Sequence, residues 1–80
     1  MKNQEIKKAI ENLNGYLKTE TCEFMIANIK GKISGFEVKN PKSKKLITRI
    51  KLFASINSND TTQAYYKGFL SALEMLNLNK

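Results

Sequence analysis

The most restrictive feature of the chain is the run from Leu46 to Ile56, LITRIKLFASI, whose residue types alternate with a period of two. On an extended backbone Leu46, Thr48, Ile50, Leu52, Ala54 and Ile56 point one way, and Ile47, Arg49, Lys51, Phe53 and Ser55 point the other. The alternation predicts a strand, and a strand needs neighbours to take up its backbone hydrogen bonds.

Two shorter segments are candidates for those neighbours. Thr21 to Ile29, TCEFMIANI, admits both periods: Cys22, Met25, Ile26 and Ile29 fit a helical face, while Cys22, Phe24 and Ile26 alternate with Glu23 as in a strand. Its shortness, and a following Lys30-Gly31-Lys32 that reads as a hairpin turn, favour the strand. Lys32 to Val38, KISGFEV, then reads as a further strand, with Phe36 and Val38 on one face and Gly35 at a bulge. Asn40-Pro41 ends it, because proline donates no ladder hydrogen bond, and the residues to Lys45 form a hairpin connection.

The two ends read as helices. From Asn3 to about Lys18, Ile6, Ala9, Ile10, Leu13 and Leu17 recur three and four apart, with Asn3 as a cap and Glu5 in the first turn. Asn14-Gly15 interrupts without ending the pattern, which runs to about Leu17. After a turn at Asn57-Ser58-Asn59-Asp60, the residues Ala64, Tyr65, Gly68, Phe69, Ala72, Leu73 and Leu76 make a second apolar stripe. Gly68 costs up to about 1 kcal/mol of helix propensity relative to alanine, which a close contact would explain. Packing on the chain's own sheet is the expected contact, ahead of a dimer seam.

The predicted fold is a single α+β domain over residues 1–80, in the order α-β-β-β-α. Its three-stranded antiparallel sheet carries both helices on one face and leaves the other open. This order, from about Asn3 to Leu76, resembles the double-stranded-RNA-binding domain in topology. Lys30-Gly31-Lys32 and NDTTQAYYK stand where that family places its RNA-contacting loop and the start of its second helix, and no site residue is carried across. Were Thr21 to Ile29 helical, the basic hairpin would instead resemble the wing of a winged-helix DNA binder.

Composition argues against catalysis. There is no histidine, and the seven acidic residues are scattered, with Glu20 and Glu23 the closest pair. Cys22 is the single cysteine, so no intrachain disulfide forms, no thiolate zinc site assembles, and no imidazole is present to activate it; it is expected in the core. Lys30-Gly31-Lys32 lacks the spacing of a phosphate-binding loop. No enzyme activity, cofactor or metal is expected. No apolar run approaches the roughly 18 residues of a membrane span, and MKNQEIKKAIENL is amphipathic, so a soluble cytoplasmic protein is expected, without membrane association.

Charge is the informative property. Lys39 to Lys51, KNPKSKKLITRIK, holds six of the fourteen basic residues and none of the acidic ones, in a chain of net charge +7. Lys39, Lys42, Lys44 and Lys45 would form a basic hairpin finger, and Arg49 and Lys51 would share a strand face with Ile47 and Phe53, interleaving cations with an aromatic as phosphate neutralisation and base stacking require. The expected partner is nucleic acid or a nucleoprotein, bound with low sequence specificity because only Arg49 offers a bidentate guanidinium. Three alternatives remain. The lysines protect a sheet edge from aggregation. The protein is an inhibitor or adaptor with an acidic protein partner, such as phages and mobile elements direct against host nuclease and defence complexes. Or it is a homodimer joined through positions such as Met25 and Ile47.

Overall fold

The computed structural model describes residues 3–56 and 59–78. Within them the chain is all-helical: α1 (Asn3–Thr19), α2 (Glu23–Phe36), α3 (Lys44–Ile56) and α4 (Asp60–Leu78). The expected three-stranded sheet is therefore overturned, and with it the α+β class, the open sheet face, the hairpin finger and the topological resemblance to the double-stranded-RNA-binding domain. The two terminal helices stand where their spacing predicts them, α1 running through Gly15 to Thr19.

The segments predicted as strands are helical for identifiable reasons. In LITRIKLFASI the residues that turn inward are Leu46, Ile47, Ile50 and Ala54, a stripe spaced one, three and four apart that coexists with the alternation. Ser43 starts this helix: its hydroxyl accepts the Leu46 N–H at 3.2 Å, and its carbonyl accepts the Ile47 N–H at 3.0 Å. TCEFMIANI and KISGFEV merge into the single helix α2, so Lys30-Gly31-Lys32 lies mid-helix and makes no turn. The Glu20 carboxylate accepts the Thr21 and Cys22 N–H groups at 3.1 and 3.0 Å, bending the chain from α1 into α2. Cys22 is exposed there and does not join the core.

Of the expected turn before α4, Asn57 and Ser58 lie outside the described residues. Asn59 caps α4, its side-chain oxygen accepting the Thr61 and Thr62 N–H groups at 3.0 and 3.1 Å.

Glycines decide how the helices meet. Gly31 and Gly35 on α2 face Gly68 and Ala72 on α4, each pair one turn apart. A Cβ on Gly31 would overlap the Tyr65 carbonyl, one on Gly68 would overlap the Asn28 carbonyl, and one on Gly35 would lie 2.7 Å from Ala72 Cβ. Backbones can approach this closely only where side chains are absent. The Gly68 contact is thus with another helix. Two hydrogen bonds fix the register, Asn28 Nδ2 to the Ala64 carbonyl at 3.1 Å and Tyr65 OH to Ser34 Oγ at 2.8 Å.

α2 and α4 form the extensive central contact; α1 packs on α2 and reaches α4 at Ala72 and Leu76, and α3 packs on α4. Phe36, Ala72 and Leu76 make the core on the α1 side, covered by Ile6, Ala9, Ile10 and Leu13. Leu73 is 1% exposed, and Ile50 is buried on α3. The result is a slab of 32 × 30 × 16 Å. α3 packs on α4 alone among the described helices, which leaves Lys45, Thr48, Arg49, Lys51, Leu52 and Ser55 exposed.

Candidate nucleic-acid interface

The six basic residues of the central run lie along the α2–α3 connection and α3. Lys39 and Lys42 are exposed in the connection, Lys44 and Lys45 are exposed in the first turn of α3, and Arg49 and Lys51 are exposed further along it. The connection is anchored: Asn77 on α4 donates from Nδ2 to the Pro41 carbonyl at 2.9 Å, and equally to the Leu73 carbonyl at 2.9 Å.

The helix separates residues that a strand would have kept together. Residues two apart share a strand face but stand about 200° apart around a helix. Arg49 and Lys51 consequently leave α3 on opposite flanks. Lys45 and Arg49, one turn apart, line a shallow depression of about 260 Å³ with Ser43 and Leu46. Lys51 lines a different groove, between α3 and α4, which Glu74 also lines. Ile47 lines this groove with Lys51, while Met25 is exposed in the first turn of α2.

Phe53 continues the row that begins at Lys45 and Arg49, four residues or about 6 Å of helix rise per step. It is 36% exposed, and its ring rests on Tyr66 of α4 at 5.5 Å between centroids. Tyr66 meets Tyr65 edge-on at 5.4 Å, and Tyr65 meets Phe69 at 6.3 Å. The flank of α3 therefore passes from a pair of cations to a half-exposed cluster of aromatics. The sequence alone singles out Phe53 as a candidate, and not Tyr66, Ser43 or Leu46. Ser43, two residues after Pro41 and ahead of an apolar stripe, was the available helix-start signal; Tyr66 needed the α3–α4 packing.

The electrostatics of the first turn are unusual for this chain. α1, α2 and α4 carry an acidic residue in their first turns, Glu5, Glu23 and Asp60, where the helix dipole is positive. α3 has none, and places Lys44 and Lys45 there. Each adds positive charge to an end that is already positive. Among the described residues no group of three or more His, Cys, Asp or Glu side chains is arranged to hold a metal ion, and no helix is long and apolar enough to cross a membrane.

Compared with known protein families, curated proteins and solved structures, the chain matches none. Its function has to be argued from the chemistry of these residues.

Proposed function

We propose that this protein is a small non-enzymatic binding module that engages nucleic acid, free or within a nucleoprotein, through the α2–α3 connection and the adjoining flank of α3. Lys39, Lys42, Lys44, Lys45 and Arg49 contact phosphates, and Phe53 with Tyr66 offers an apolar surface to a base or sugar. Lys51, on the opposite flank, takes no part.

The observation that carries this reading is the placement of Lys44 and Lys45 at the positive end of α3. Cations there cost stability in the free protein, typically about 0.3–1 kcal/mol each. A polyanion converts that cost into attraction, since the same end also presents backbone N–H groups. Sheet-edge protection no longer accounts for the lysines, because the segment is a helix. Phosphate contacts dominate, and only Arg49 is suited to bidentate base recognition, so discrimination among sequences is weak.

The test is fluorescence anisotropy of labelled duplex DNA, single-stranded DNA and duplex RNA titrated with the protein at two salt concentrations. Binding to several unrelated sequences that weakens steeply with salt supports the reading. Failure to bind any of the three at low salt overturns it and turns attention to an acidic protein partner.

A further inference from the structure

The second flank of α3 has a different character. Between α3 and α4 runs a groove of about 440 Å³ whose walls include Ile47, Leu70 and the buried Leu73. Lys51 stands on the α3 wall and Glu74 on the α4 wall, both exposed. Leu78, in the last turn of α4, also lines it and is 81% exposed, the most exposed large apolar side chain among the described residues.

The surface has the character of a protein contact. An apolar groove with an exposed leucine beside it is the kind of surface that such a contact covers.

The charges choose the partner. One cation and one anion leave the groove locally neutral, with no net attraction for a polyanion or a polycation, and a patch with one of each on opposite walls is complementary to itself after a two-fold rotation. We propose that the α3–α4 groove is a homodimer interface, in which Leu78 of each chain enters the groove of the other and Lys51 of each pairs with Glu74 of the other. The basic flank with Lys45 and Arg49 lies on the other side of α3, so it stays open in both chains. The inference stands independently of nucleic-acid binding and responds oppositely to salt: two chains of net charge +7 repel, and salt screens that repulsion.

Sedimentation velocity and light scattering on the full chain, free of nucleic acid, test this. The expected wild-type mass is twice the 9.1 kDa of one chain, with association strengthening as salt rises. Leu78→Asp, Lys51→Glu and Glu74→Lys should each weaken association by about tenfold or more while leaving helical circular dichroism unchanged. The decisive step mixes the Lys51→Glu and Glu74→Lys chains in equal amounts: the acidic groove of one then meets the basic groove of the other, and a heterodimer forms. A wild-type chain that stays monomeric at its highest soluble concentration in high salt overturns the proposal. So does a dimer untouched by all three substitutions, or a mixture that remains monomeric.

Discussion

Gly31 on α2 lies directly against the Tyr65 carbonyl on α4, with no room between them for a methyl group. Gly68 stands in the same relation to the Asn28 carbonyl, so the contact that organises the slab is backbone against backbone at two points. Neither clash is relieved by turning a side chain. Gly31→Ala should therefore destabilise the fold by about 3 kcal/mol, the upper part of the overpacking range, even though alanine favours the helix by about 1 kcal/mol. Gly15, exposed on α1, has nothing within 4 Å of its would-be Cβ, and Gly15→Ala should stabilise by about 0.5–1 kcal/mol. Urea unfolding of the two variants gives shifts of opposite sign; shifts of the same sign would contradict the packing.

This contact also explains what the sequence conceals. In α1 the spacing of Ile6, Ala9, Ile10 and Leu13 has no competing period-two reading, and the stripe of α4 from Ala64 to Leu76 has none either. Between them, LITRIKLFASI satisfies both periods, and the glycines of KGKISGF resemble turn and bulge residues when read locally. Their meaning is tertiary. Gly31 and Gly35, four apart, match Gly68 and Ala72, four apart, and that complementarity was the available sign that two helices meet there. The basic cluster is legible as composition from Lys39 to Lys51, but its division into two flanks is not, because Arg49 and Lys51 converge on a strand and diverge on a helix.

The start of α3 rests on Ser43, whose hydroxyl takes up the Leu46 N–H. Ser43→Ala should cost about 1 kcal/mol, and Ser43→Asp should restore the cap. Thermal unfolding measures both. A Ser43→Ala variant as stable as the parent would argue against a helix beginning at Lys44.

Lys44 and Lys45 oppose the dipole of their own helix. Replacing each with glutamate should raise stability by about 0.5 kcal/mol, more at low salt than at high. The same substitutions should weaken nucleic-acid binding. Stability and affinity moving in opposite directions is the signature of residues kept for a ligand; a loss of both would mean that the lysines support the fold.

Cys22 is exposed at the start of α2. In the native protein it should react with a maleimide about as fast as in urea, leaving the circular dichroism unchanged. A thiol protected until the protein unfolds would place Cys22 in the core, as the strand reading requires.

The central claim is that the cations from Lys39 to Arg49 neutralise phosphates, and the most direct measurement is the slope of log affinity against log salt for duplex DNA. Five contacts predict a slope of about −4 to −5. Lys45→Gln with Arg49→Gln should make it shallower by about 2, whereas Lys51→Gln, on the opposite flank, should leave it unchanged. A slope that moves with Lys51 and ignores Lys45 and Arg49, or no measurable binding at low salt, would contradict the account.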